Sequence, residues 1–195
     1  MLDHQVQTRW QLLASSFSWA FSPAVALTAV VVAAGFKGGL SLWGVTGLFM
    51  GVGVLPAVTY KVTGRIFERY SLPDRWRAHL LAVLFWVAAL VCMILQMNAP
   101  ITETVVALFV GNVGLLVLRR WMDVSGHVSV LTFAVLWIWA VFGTTWAWLL
   151  ILSPVMVLSR LKLREHSLGE ALIGALLGVA TFGCFLGATT WSLIK

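Results

Sequence analysis

Charged residues are scarce in this chain: Asp, Glu, Lys and Arg together make up 10% of its 195 residues. Soluble domains carry about 25% charged residues, so a soluble fold could not cover its surface with so few. Cysteine is also rare, and both cysteines lie in apolar runs, which argues against a disulfide scaffold. The sequence has no internal repeats and no low-complexity segments. These deficits exclude an ordinary soluble enzyme, a disordered chain and a disulfide-rich fold.

The sequence consists largely of long apolar runs. Apolar residues make up 61% of the chain, and a membrane-spanning helix needs about 20 of them in a row. Candidate runs cover residues 19–36, 38–60, 80–98, 101–118, 128–158 and 171–194. Because helices satisfy their own backbone groups in lipid, the pattern predicts an all-α fold, a polytopic transmembrane bundle in one domain over residues 1–195. The helix count is six or seven, depending on whether 128–158 is one long helix or two with a break at 143–145.

Pairs of glycines four residues apart suggest where helices approach each other closely, because small residues let two backbones come together in a membrane. Such pairs occur at Gly47/Gly51, Gly174/Gly178 and Gly183/Gly187.

Positive charge is unevenly distributed between the apolar runs. With seven crossings, the N-terminal segment and the polar stretches 61–79, 119–127 and 159–170 share one face, which holds 11 of the 13 Lys and Arg residues. The positive-inside rule makes that face cytoplasmic. The net charge of +6 is therefore interpreted as a topology signal and as attraction to anionic membrane lipids, with no nucleic-acid partner.

One compact polar group, Ser159–Glu170, combines a cation, an imidazole and a carboxylate at a membrane boundary. His166 and Glu170 are four residues apart, so on a helix they share a face. A carboxylate in that position can orient the imidazole and improve it as a nucleophile or base. Arg160 can bind a phosphate through two parallel hydrogen bonds.

A second polar group, Val124–His127, precedes an apolar run. Ser125 and Gly126 offer a hydroxyl and backbone N–H groups to an anion at the start of a helix. His127 can give a proton to a leaving oxygen. Together the two groups predict a site for a phosphate ester at a membrane boundary.

The two groups resemble motifs of the type-2 phosphatidic acid phosphatase (PAP2) superfamily. Residues 159–170 are similar to its third motif, SRx5Hx3D, with Glu170 in place of the aspartate. Residues 124–127, VSGH, are similar to the second motif, PSGH, with Val124 in place of the proline. The resemblance covers about residues 60–185.

The first motif of that superfamily, Kx6RP, is degraded in this chain. The stretch 69–78 is basic and contains Arg75 and Arg77, but Ala78 stands where the proline is expected. Three residues compete for the role of the lysine: Lys61, Arg65 and Arg69.

The resemblance implies a metal-independent, cofactor-free phosphatase with a two-step mechanism. His166 would attack phosphorus to form a phosphohistidine, Glu170 would orient it, and His127 would protonate the leaving group and then activate water. The phosphoryl oxygens would be held by Arg160, Ser125, Gly126, Arg75 and Arg77. The substrate would be a lipid phosphate or an isoprenoid diphosphate, and the resemblance does not choose between them.

The resemblance also implies a location in a prokaryotic cytoplasmic membrane. Many members of the superfamily act on the outer side of the membrane, whereas the charge distribution favours a cytoplasmic site. The degraded first motif supports an alternative function, a non-catalytic binder or transporter of anionic lipid on the same scaffold.

Overall fold

The computed structural model of the protein describes the backbone of residues 2–71 and 75–194, with side chains for residues 9–71, 76 and 78–190. Within these residues all regular secondary structure is helical, which confirms the all-α prediction. The side chains of Arg75 and Arg77, two of the predicted phosphate ligands, lie outside the described residues.

The helices follow one another with short connections. They are α1 Leu2–Ala20, α2 Pro23–Lys37, α3 Leu42–Leu48, a π-helical segment Phe49–Val54, α4 Leu55–Arg69, α5 Arg75–Ile94, α6 Ala99–Leu118, α7 Gly126–Phe142, a 3₁₀ segment Thr144–Ile151, α8 Leu152–Lys162 and α9 Leu168–Ile194.

Several of these helices have the length and composition of membrane spans. Five helical stretches in the described part of the chain qualify: Arg9–Lys37, Leu42–Arg69, Ala99–Leu118, Thr144–Lys162 and Leu168–Thr190. Two shorter apolar helices are Ala78–Ile94 and Gly126–Phe142. The chain is therefore built as an integral membrane protein, while the prediction of six or seven spans stays a prediction.

The N-terminal segment, treated above as a polar tail, is helical in the structure. It leads directly into the first span, which is interrupted at Phe21 and Ser22. Pro23 begins α2. A proline is favourable at this position because the first N–H groups of a helix have no partner inside the helix.

The second span contains a wide turn just before a proline. Pro56 has no N–H group to donate to the carbonyl of Val52. The π-helical segment Phe49–Val54 accommodates this, and the N–H of Leu55 donates five residues back, to the carbonyl of Met50. The helix then continues to Arg69. The stretch from residue 61 to 69, predicted as part of a polar connection, is therefore helical.

Gly143 divides the long apolar run 128–158 into two helical pieces, so the structure has the alternative with a break at 143–145. Its φ of 89° lies in a region that side-chain-bearing residues rarely adopt. Helix α7 ends there and packs against both the 3₁₀ segment and α8. The hydroxyls of Thr132 and Ser153 are 2.6 Å apart across this hairpin. This hairpin returns the chain toward the start of α7, where Gly126 lies.

The chain divides into two compact units. The first unit contains the chain up to Ala26 together with Leu118–Ala180, and the second contains Leu27–Val117 together with the chain from Thr181 onward. Both predicted motif groups, 124–127 and 159–170, belong to the first unit. The prediction of one domain over the whole chain stays a prediction.

In the first unit, α1 packs against α8 through serine hydroxyls. Ser159 donates to the carbonyl of Ala14, with an oxygen–oxygen distance of 2.8 Å. The hydroxyls of Ser18 and Ser159 are also 2.8 Å apart. The two serine hydroxyls and the carbonyl of Ala14 are thereby hydrogen-bonded within the protein. These contacts hold the C-terminal part of α8, which carries Arg160, against the N-terminal helix.

Close contact between α7 and α9 depends on one glycine pair. A Cβ atom at Gly174 would lie 2.7 Å from the backbone oxygen of Ser125, and one at Gly178 would lie 2.5 Å from that of Ser129. This confirms the predicted contact for that pair. The expectation is wrong for two other pairs, where an added Cβ would meet no described atom within 4 Å: Gly47/Gly51 and Gly183/Gly187.

In the second unit, polar groups join helices that are distant in sequence. Thr189 of α9 donates a hydrogen bond of 2.8 Å to the carboxylate of Glu103 in α6. The amide of Asn98 donates to the carbonyl of Gly38. Glu103 is buried, with 7% of its surface exposed, so this carboxylate is an integral part of the packed unit.

Candidate functional site

The two predicted motif groups meet in the first unit, where α7 and α9 begin and α8 ends. The N–H of Ser125 approaches the carbonyl of Glu170 at 3.5 Å, and His166 Nδ1 lies 3.8 Å from Asp123 Oδ2. We call this group the motif cluster. Its residues are Asp123, Ser125, Gly126, His127, Arg160, Glu165, His166 and Glu170.

Ser125 occupies the N-cap position of α7 without capping it. A serine there normally accepts a hydrogen bond from an N–H group of the first turn, but its side chain makes no such bond. The residue is fully buried, and its Oγ has no hydrogen-bond partner among the described residues. Gly126 follows as the first residue of α7, where backbone N–H groups have no intrahelical partner. The start of α7 thus offers the hydroxyl and N–H groups that the sequence predicted.

Arg160 lies in the last turn of α8 and is buried, with 8% of its surface exposed. Its Nη2 forms an ion pair with the carboxylate of Glu165. Its Nε is buried and has no partner in the described part of the chain. A guanidinium presents five N–H donors in a fixed plane, so Glu165 satisfies only part of it.

His166 faces two carboxylates at equal distance. Its Nδ1 is 3.8 Å from Asp123 Oδ2 and 3.8 Å from Glu170 Oε2. Both distances exceed the range of a hydrogen bond. The side chain of His166 is 10% exposed, and Nδ1 has no hydrogen-bond partner among the described atoms. The predicted proximity of His166 and Glu170 is present, whereas the predicted hydrogen bond between them is not formed.

Glu170 has a structural task of its own at the start of α9. The N–H of Ser167 donates to Glu170 Oε2 at 2.7 Å, and the N–H of Glu170 approaches Ser167 Oγ at 3.4 Å. This reciprocal pair is a capping box, which satisfies two N–H groups at a helix start. The backbone of Asp123 also hydrogen-bonds to the Glu170 carboxylate, whereas 70% of the Asp123 side chain is exposed. Asp123, to which the sequence assigned no role, is therefore a second candidate to orient His166.

His127 follows Gly126 in the first turn of α7, outside the five candidate spans. Burial lowers the pKa of His127 to about 4, and the positive charges of Arg160, His166 and Arg119 act in the same direction. The imidazole is therefore neutral at pH 7 while no anion is bound. A bound phosphate would offset the neighbouring positive charges and raise this pKa.

Three buried polar atoms without partners lie in the motif cluster: Ser125 Oγ, Arg160 Nε and His166 Nδ1. Buried polar groups in native proteins are nearly always hydrogen-bonded. All three belong to residues that sequence reasoning had selected. Their coincidence in one cluster is the pattern expected of a site that binds a polar, anionic ligand.

Two of the predicted site residues are not part of this description. Arg75 and Arg77 lie at the start of α5, in the second unit, and their side chains are outside the described residues.

Sequence reasoning missed Asp123, Glu165 and Arg119, since no motif spacing connects them to the histidines. Among the described residues, no three His, Cys, Asp or Glu side chains are grouped so that they could hold a metal ion.

Comparison of the chain with protein-family models, with curated proteins and with solved structures gave no match.

Proposed function

We propose that the protein is a membrane-embedded lipid phosphatase, which hydrolyses a phosphate monoester or diphosphate of a lipid or isoprenoid through a phosphohistidine. One observation carries the proposal. Three buried polar atoms, on Ser125, Arg160 and His166, have no partner among the described residues and lie in the motif cluster of a chain with the helices of an integral membrane protein. The resemblance of these residues to the PAP2 motifs supplies the reaction type.

In this mechanism a ring nitrogen of His166 attacks phosphorus, and the bond between phosphorus and the ester oxygen breaks. His127 gives its proton to the leaving oxygen, so the product is an alcohol from a monoester and a monophosphate from a diphosphate. Arg160, Ser125 Oγ and the Gly126 N–H group stabilise the charge on the phosphoryl oxygens. His127 then takes a proton from water, which attacks the phosphohistidine and releases inorganic phosphate.

The neutral state of His127 in the empty site fits this sequence of steps. The acid form is needed only after the substrate has bound. Because the phosphate charge raises the pKa of His127, binding and protonation support each other. Asp123 and Glu170 stabilise the positive charge that His166 acquires when it attacks phosphorus and forms the phosphohistidine.

The test is phosphate release from a panel of lipid phosphates and isoprenoid diphosphates by the purified protein, with EDTA present. His166→Ala should abolish release, while His79→Ala, a histidine outside the motif cluster, should retain it. Acid-labile ³²P labelling of the wild type, absent in His166→Ala, would identify the intermediate. Release by a well-folded His166→Ala variant within twofold of wild type would contradict the nucleophile assignment.

The same assay distinguishes the two carboxylates. Asp123→Asn and Glu170→Gln each remove one charge beside His166 with little change in shape. The variant with the larger loss of turnover identifies the orienting carboxylate. Because glutamine can replace glutamate in a capping box, loss of thermal stability in Glu170→Ala but not in Glu170→Gln would show that Glu170 also stabilises the start of α9.

A second function is a non-catalytic binder or transporter of anionic lipid. The observation that favours it is the lack of a hydrogen bond between His166 and either carboxylate. It predicts saturable binding of lipid phosphates without release of phosphate.

The proposed location is a prokaryotic cytoplasmic membrane with the motif cluster on the cytoplasmic side. Lys162 is exposed at the end of α8, two residues after Arg160. In a variant without Cys92 and Cys184, a Lys162→Cys substitution should react with a membrane-impermeant thiol reagent only after the cells are permeabilised. Reaction in intact cells would place the cluster on the outer side.

A further inference from the structure

The ion pair inside the motif cluster involves a carboxylate that the proposed reaction does not use. Glu165 pairs with Nη2 of Arg160. The guanidinium is buried, with 9% of its side chain exposed, whereas 46% of the Glu165 side chain is exposed. The carboxylate therefore lies between the buried cation and solvent.

The backbone after α8 determines this position. The N–H of Arg164 donates to the carbonyl of Leu161 at 3.0 Å, and that of Glu165 donates to the carbonyl of Arg160 at 3.2 Å. These two bonds form a Schellman motif, which turns the chain back on the last turn of the helix. In such a motif the residues at the positions of Arg160 and Glu165 are brought together, commonly through an apolar contact. Here an ion pair takes the place of that contact.

The residue at the centre of this turn, Arg164, has a strained backbone conformation. Arg164 has a φ of 55°, in the left-handed region that favours glycine. Non-glycine residues persist there when the surrounding structure requires it, and such residues concentrate at functional sites. In this turn the strained residue lies directly before Glu165 and His166, so it positions both.

A carboxylate and a phosphate compete for the N–H groups of a guanidinium, because each presents two oxygens that accept two N–H groups at once. A phosphate that binds Arg160 through Nη2 and Nε therefore competes with Glu165, which already occupies Nη2. We propose that Glu165 is an internal competitor: its carboxylate occupies Arg160 and weakens the binding of every anion to the site. This inference rests on the proposed function, because it assumes that the motif cluster binds phosphate.

The membrane explains why such a residue is useful. Phosphodiester head groups are abundant around any membrane-boundary site and carry one negative charge each, whereas a phosphate monoester carries about 1.5 to 2 at pH 7. An internal competitor lowers the affinity of every anion by the same factor. Diesters, which bind weakly, then no longer occupy the site, whereas monoesters, which bind more strongly, still do.

The experiment measures anion affinity by isothermal titration of the full-length protein in a non-ionic detergent. The probes are inorganic phosphate and dihexanoyl phosphatidylglycerol, a short-chain phosphodiester. Glu165→Gln keeps the side-chain shape and removes the charge, and should bind phosphate about three- to tenfold more tightly than wild type. Binding of the diester should strengthen by the same factor. Glu68→Gln, which removes one charge from an exposed site on α4, should change either affinity less than 1.5-fold.

Unchanged or weaker phosphate binding by Glu165→Gln would overturn the inference. Arg160→Gln separates this result from failure of the proposed site, because loss of phosphate binding in that variant shows that the cluster is the anion site. Absence of phosphate binding in both wild type and Glu165→Gln would overturn the proposed function together with the inference. If Glu165→Gln does not purify as a folded protein, Glu165→Asp, whose shorter side chain weakens the pair, should tighten phosphate binding by a smaller factor, and no tightening would count against the inference.

Discussion

Gly178 of α9 lies close to the backbone of α7 in the first unit, and Gly178→Ala tests that contact. The added Cβ would lie 2.5 Å from the backbone oxygen of Ser129 and 2.7 Å from Cβ of Thr132. Neither atom can rotate away, since one belongs to the backbone and the other is fixed to it. To restore the 3.4 Å at which ordinary contact begins, the helices must separate locally by about 0.9 Å.

Two effects on stability oppose each other in this variant. Forcing an extra carbon into a packed contact costs about 1–3 kcal/mol. Replacing glycine by alanine inside a helix raises the free energy of unfolding by about 1 kcal/mol. Gly183→Ala supplies the matched control, because it lies on the same helix and its added Cβ would meet no described atom within 4 Å. The difference between the two variants isolates the contact, about 1–3 kcal/mol.

The assay is thermal unfolding of both variants in the same detergent, followed by circular dichroism. For a chain of this size the expected difference corresponds to a melting temperature about 2–12 °C lower for Gly178→Ala than for Gly183→Ala. Equal melting temperatures, or a higher one for Gly178→Ala, would refute the close approach of α7 and α9. Under the proposed function, turnover should also fall in Gly178→Ala, because a shift of about 1 Å between reacting groups costs up to a hundredfold in rate.

Two further predictions concern ionisable residues. The lowered pKa of His127, about 4, means that the unfolded chain binds more protons than the folded one between pH 4 and 6.5, so stability should fall as the pH decreases through this range. His127→Gln should reduce that decline in melting temperature, and an unchanged pH profile would contradict it. The hydrogen bond from Thr189 to Glu103 should give a coupling of about 0.6 kcal/mol, and at most about 1.7 kcal/mol, in a double-mutant cycle of Thr189→Val and Glu103→Leu. A coupling of zero would show that the bond contributes nothing.

The residues that form the motif cluster were predicted in part from spacing alone. The interval of four residues between His166 and Glu170 places the two side chains close together, and the structure has them 3.8 Å apart. Spacing does not show what else those side chains contact. The carboxylate of Glu170 accepts from Ser167 in a capping box, and the guanidinium of Arg160 pairs with Glu165. Such competition for hydrogen bonds depends on local geometry that a motif does not contain.

The glycine pairs show the same division between pattern and structure. All three pairs have the spacing that permits close helix contact, yet only the pair at Gly174 and Gly178 is packed against described atoms. The spacing indicates only that one face of the helix carries small residues. Whether another helix lies on that face is decided by the arrangement of the whole bundle.

From the sequence alone it follows that the protein is helical and suited to a membrane, because the length and polarity of an apolar run are local properties to which the bilayer responds directly. The sequence leaves two alternatives for the run 128–158, and the structure has the one with a break, at Gly143. Only the tertiary structure decided that Asp123 lies as close to His166 as Glu170 does. That contact joins segments separated by the whole α7–α8 hairpin, and its geometry follows from how those helices pack, which no spacing along the chain encodes.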